Sequence, residues 1–155
     1  MVTVDIDPRR KADIQEDILE WDFKSQFKPG DFDIVEASPP CTEYSVALST
    51  RQRRLEKADE YVEQTKAIIA FLRPRLWWIE NPRWGLLRTR SVVRGMPYVD
   101  IDYCQFSALG FQKPTRFWCC AEMAKLPSVV CDNITCKNLA GKVTDGRKRR
   151  HRLTI

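Results

Sequence analysis

Histidine is nearly absent from this chain: His151 is the only one. A cysteine hydrolase needs an imidazole within hydrogen-bond reach of its thiol, and one histidine in a basic terminal run argues against that chemistry. Long apolar runs are missing too. None approaches the roughly 20 residues of a membrane-spanning helix, and the first residues, with acids at Asp5 and Asp7, lack the charge pattern and apolar core of a signal peptide. No internal repeat is present, and the only biased segment is a basic stretch at the C-terminal end. Without secretion, the six cysteines Cys41, Cys104, Cys119, Cys120, Cys131 and Cys136 do not make a disulfide framework in a chain of this length. The sequence reads as that of an intracellular protein in a reducing compartment, with no membrane partner.

What is there suits one globular core: 155 residues, 43% hydrophobic and 30% charged, enough to bury a sizeable interior. The net charge of +5 is a property of the end of the chain, since residues 137–155 hold seven Lys/Arg and one acid, leaving the rest near −1. The run Arg147-Lys148-Arg149-Arg150-His151-Arg152 reads as a phosphate-neutralising or nuclear-address segment, or as a solvated tail. Nuclear location is therefore expected if the source is eukaryotic. Cys131 and Cys136, with Cys119 or Cys120 and His151, have zinc-type donors, but their spacing departs from the tighter pairs of zinc ribbons, so no metal site is assigned. Residues 1–122 form the expected domain, and residues 123–155 a cysteine-containing basic extension.

Two stretches organise the domain. Ile34 to Ala37 is a short apolar run that reads as a buried strand, and Pro39-Pro40 stop it and hold Cys41 at its mouth. Leu76-Trp77-Trp78-Ile79 is a second such run, halted at Pro82 after delivering Glu80. Neighbouring parallel strands would present both side chains on one rim, where open α/β sheets bind ligands. A buried, inert cysteine is the competing reading for Cys41. Between the strands, Leu55, Ala58, Val62, Thr65, Ile69 and Leu72 repeat at intervals of three and four, the core stripe of a helix ended by Arg73-Pro74. Earlier, residues 2–8 alternate like a strand ending in acids. Later, 98–104 and 115–120 read as an antiparallel hairpin at the sheet edge, turned at Ser107-Ala108-Leu109-Gly110. Trp77 and Trp78 fall one on each face, as packing.

Ser38-Pro39-Pro40-Cys41, Ile79-Glu80-Asn81-Pro82 and Gln112-Lys113-Pro114-Thr115-Arg116, in this order, resemble the cytosine-5 DNA methyltransferase family over residues 2–118. The resemblance implies an α/β, Rossmann-like S-adenosylmethionine-dependent fold, a mostly parallel sheet with an antiparallel hairpin, and methyl transfer to C5 of a flipped cytosine in DNA. It makes Cys41 the nucleophile that adds at cytosine C6, Glu80 the group engaging N3 and the amino edge, and Arg116 the residue that helps hold base or thiolate. It gives S-adenosylmethionine to Asp5, Ile6, Asp17, Ile18 and Pro39, and the substrate to Pro40, Ser45, Asn81, Gln112 and Thr115. Arg51, Arg53 and Arg54, in the loop after the cysteine, suit DNA phosphates, or simple solvation.

The chain departs from the family in holding no Gly-x-Gly, in carrying Pro114 where many members have arginine, and in Pro82 where valine is usual. It begins at the family's second strand, so the expected sheet lacks the first one. The glycine loop would then come from an upstream segment or a partner chain. The alternative is a truncated relic that binds nucleic acid or protein without catalysis.

Overall fold

In the computed structural model, which describes residues 1–106 and 113–132, a four-stranded sheet runs in the order β1-β2-β4-β3. The strands are β1 (Ile34–Ala37), β2 (Leu76–Pro82), β3 (Tyr98–Asp102) and β4 (Pro114–Cys119). β1 and β2 are parallel, with Ala37 level with Ile79, and the long helix α2 (Leu55–Leu72) crosses between them. One helical turn, α1 (Phe23–Gln26), precedes it.

Helix α2 forms because its apolar residues share one face: Ala58, Val62, Thr65, Ile69 and Leu72 are buried, as the spacing predicts, with Asp59 and Ile68 beside them. It stops where expected. Arg73 takes a left-handed conformation (φ 51°) and its N–H returns to Ile69 O, while Pro74 cannot continue the helix. Val62 and Ile69 pack with Ile79, Leu87, Val93 and Trp118 in the main core. Burial of each aliphatic side chain here stabilises by about 1.5–3 kcal/mol. A second cluster joins Trp21 and Phe23 to Ile68 and Leu72, so the N-terminal residues lie along the same helix.

The structure corrects several expectations. Only one of the three strand pairings is parallel; β2–β4 and β3–β4 are antiparallel, because the 98–119 hairpin inserts its second strand beside β2. The hairpin thus forms, with β4 internal. Residues 2–8 are no strand: Val4 makes a single bridge to Ile14 and packs on the Trp21 cluster, while Val2 and Ile6 stay exposed, so the run gains no further ladder. β1 lies at the edge, with Ile34 50% exposed, and is not buried on both faces. β2 runs through Pro82, since its pairing at that point to Thr115 needs no proline N–H.

The two sheet edges differ. The outer edge of β3 is covered by residues 128–131, through Asp102 N–H to Val129 O and Val129 N–H to Asp100 O at 2.9 Å each. The first ten residues of the expected extension thus run beside the domain. The expected 107–110 turn, Cys136 and His151 lie outside the described residues.

Candidate active site

The Pro-Pro-Cys segment is fastened to the Glu-Asn segment by one side chain. Asn81, 1% exposed, donates from Nδ2 to the carbonyl of buried Pro39 at 2.9 Å. Past the prolines the chain closes a turn, Tyr44 N–H to Cys41 O at 3.1 Å, and leaves Cys41 exposed. Tyr44 is the anchor. Its ring is fully buried, its hydroxyl donates to Asp59 Oδ1 at 2.8 Å, and Arg90 clasps Asp59 Oδ2 at 2.9 and 2.6 Å. Burial, and then the Asp59 carboxylate, push the Tyr44 phenol far upward, so it remains a donor. On the other side Leu86 N–H reaches Tyr44 O at 2.8 Å. A Cβ at Gly85 would stand 3.1 Å from Pro82 O and 3.5 Å from Tyr44 O, which explains glycine there. Cys41 is thus displayed by a loop gripped from two sides.

Glu80 leaves β2 on the face away from α2, opposite Phe117 of β4. It lines a hollow of about 420 Å³ together with Ser38, Trp78, Tyr103, Lys113 and Phe117. Its nearest cation is Lys113 Nζ at 3.6 Å, and Oε1 is buried without a hydrogen-bond donor. Ser38 brings the Pro-Pro-Cys segment to this wall; Cys41 itself does not line it.

Arg116 is not with them. Facing residues of antiparallel strands share a face, and Arg116 faces Asn81 and Asp100 where Phe117 faces Glu80. Its guanidinium is bound bidentately by Asp100 at 2.7 and 2.8 Å and lies 3.6 Å from the Tyr98 ring centroid. The expected trio of Cys41, Glu80 and Arg116 therefore divides between two sides of the sheet. Asn81 and Thr115, expected as substrate contacts, are interior instead: Thr115 is fully buried and its hydroxyl donates to Lys113 O at 3.0 Å. Gln112 lies outside the described residues. Pro40 is exposed, and half-buried Ser45 accepts from Ala47 N–H on its Oγ.

Of the residues expected at the cofactor, half-buried Asp5 accepts only Asp7 N–H among the described residues, on Oδ1 at 2.8 Å, and Ile6 beside it is 62% exposed. Asp17 accepts from Leu19 N–H and from the Tyr61 hydroxyl, and Ile18 O accepts from Gln64 Nε2. Both are pinned to the middle of α2, at Tyr61 and Gln64.

The three loop arginines turn inward in part. Arg51 grips Glu43 with two nitrogens at 2.9 and 2.5 Å, Arg54 donates its backbone N–H to the same carboxylate at 2.8 Å, and Arg53 donates to Ser45 O at 2.9 Å. Arg54 is the N-cap of α2 and makes no side-chain cap bond, so Glu43 adds a carboxylate at the start of a helix whose first turn already holds Glu56. The Arg51 guanidinium first, then the Arg54 N–H, hold the Glu43 carboxyl down at about 2, against an ordinary 4.5. A depressed folded-state value stabilises the clasp above pH 4.5, and that contribution is lost as pH falls toward 2. Carbon-detected NMR should show the Glu43 carboxyl titrating near 2, with the Arg51 to Arg54 amides moving together. A midpoint at the unperturbed 4.5 would contradict the clasp.

Sequence reading missed Tyr44, Asp59, Arg90 and Lys113. Asp59 had a signal: an acid on the apolar side of α2 needs a buried partner. Residues 81–99 also contain four arginines and no acid.

No family model matches the chain. A probable DNA (cytosine-5)-methyltransferase of Frog virus 3 (isolate Goorha) is 31% identical over 160 residues, covering 96% of this chain and 72% of that protein. The chain belongs to the cytosine-5 DNA methyltransferase family. The match runs over nearly the whole length, so the β1–α2–β2 unit and the hairpin both lie within it. Among the described residues no helix is long and apolar enough to cross a membrane, and no group of three or more metal-type side chains gathers.

Proposed function

We propose that the chain methylates C5 of a cytosine flipped out of DNA, through a covalent adduct on Cys41. The observation that carries this reading is the Asn81 to Pro39 hydrogen bond, which joins the cysteine segment to the glutamate segment across 42 residues of sequence. A parallel β1–α2–β2 unit with the thiol past its C-terminal rim supports a Rossmann-like assignment.

Cytosine C5 is a weak nucleophile. Addition of the Cys41 thiolate at C6 forms an S–C6 bond and makes C5 enamine-like. Glu80, which lines the hollow and has an Oε1 that accepts no hydrogen bond, shares a proton with N3 and accepts from the exocyclic amine, offsetting charge that develops in the ring. Once C5 carries the methyl group, loss of its proton expels Sγ and restores aromaticity. A base with C6 open to attack must leave the stack.

S-adenosylmethionine supplies the methyl group. Asp5, with one oxygen free of described donors, and exposed Ile6 fit a ribose and an adenine face; Asp17 and Ile18 would flank the adenine edge, and Pro39 closes the rim. The methionine end would be held by a glycine loop from an upstream segment or partner chain. A second reading, nucleic-acid binding without transfer, is favoured by the Asp100 clasp on Arg116.

Transfer of labelled methyl groups to duplex DNA separates the two. Glu80→Gln should lower turnover by about 10²–10⁴-fold with cofactor binding unchanged. Wild-type DNA binding without any transfer would support the second reading, and full activity in Glu80→Gln would remove Glu80 from the mechanism.

A further inference from the structure

Trp84 has no part in the chemistry above, yet it is 57% exposed on the same rim. It stands at the apex of a tight turn, Gly85 N–H to Pro82 O at 3.0 Å, tied to β4 by Arg83 N–H to Pro114 O. Four residues separate it from Glu80, so their Cα atoms lie within about 14 Å. The next residue, Gly85, abuts Tyr44 of the cysteine loop. The ring is flanked by two guanidiniums, Arg83 at 4.8 Å and Arg88 at 5.7 Å from its centroid. Arg83 is buried and paired with Asp102 at 3.4 Å, so it props the indole. Arg88 and Arg94 are exposed and pair with no acid among the described residues.

An indole left more than half exposed beside two guanidiniums is an expensive way to end a strand, unless its open face is used. Nucleobases stack on such faces whatever their identity, and neighbouring arginines meet the phosphates. The run 81–99 holds no acid of its own, and with Arg83 paired to Asp102 and Arg90 to Asp59, Arg88 and Arg94 supply its uncompensated positive charge.

We infer that Trp84 is a stacking platform for a nucleobase within a few nucleotides of the target, with Arg88 and Arg94 on the adjacent phosphates. This rests on the reading of the chain as acting on DNA. Trp84 would steady the distorted strand beside the flipped base and take no part in bond making.

The test is fluorescence anisotropy of the purified full chain with a labelled duplex whose central cytosine faces an abasic site. Trp84→Ala and Trp84→Leu should weaken binding by about 5- to 150-fold, the loss of one stacked base, while Trp84→Phe stays close to wild type. Replacing Arg88 and Arg94 together by alanine should flatten the salt dependence by about two ions. If Trp84 only covers the Arg83–Asp102 pair, the leucine variant will bind like the phenylalanine one and the inference falls. Wild-type chain that binds no duplex overturns it together with the DNA reading; binding that is equal in all Trp84 variants overturns it alone.

Discussion

Cys41→Ala is expected to abolish methyl transfer and the covalent adduct with DNA, while leaving the fold intact. The thiol is exposed, and only the residue's backbone carbonyl is used, by Tyr44 N–H. Removal of an exposed side chain with no such contact changes stability by no more than about 0.5 kcal/mol. Activity, in contrast, should be lost: among the described residues no other cysteine shares this loop, Cys104, Cys119 and Cys131 are buried and Cys120 is half-buried. Duplex DNA carrying 5-fluorocytosine makes the adduct visible, because fluorine cannot leave C5 as a proton does. Wild-type chain should run as a denaturation-resistant complex and the variant should not. Transfer retained by the alanine variant would end the covalent mechanism.

Asp59→Ala should give the largest loss of stability. It leaves Arg90 without its bidentate partner and the fully buried Tyr44 hydroxyl without an acceptor. Breaking a buried pair from one side costs about 3–5 kcal/mol, and Arg90 is 25% exposed with Glu56 at 3.6 Å, so part of the cost is relieved. We expect about 2–4 kcal/mol, a fall in melting temperature of roughly 5–15 °C for a chain of this size. Thermal unfolding by circular dichroism measures it. Asp59→Asn keeps an acceptor for Tyr44 and should lose less; equal losses would show that the Arg90 charge, and not the tyrosine anchor, dominates.

Helix α2 was legible to the residue because its apolar spacing and its Arg73-Pro74 stop are local signals. The proline-ended runs at 34–40 and 76–82 were legible for the same reason, and they name Cys41 and Glu80. The face on which each side chain emerges was not. Face depends on register, and a shift of one residue reverses it; the sequence places Arg116 after a family motif but cannot say that Phe117, and not Arg116, comes opposite Glu80. Nor does strand-like alternation in residues 2–8 reveal whether a neighbour exists to pair with. The Tyr44 anchor was hidden because its partners, Asp59 and Arg90, lie 15 and 46 residues away: Asp59 signals a buried partner without naming it, and Arg90 looks like an ordinary surface charge.

The β2 register also limits how this chain can be lengthened or shortened. One residue inserted between Leu76 and Glu80 would turn the glutamate under α2 and send an aliphatic side chain into the hollow. Two would restore the face but carry Asn81 about 7 Å past Pro39, beyond the reach of its amide. The stretch from 76 to 85 therefore tolerates no change of count.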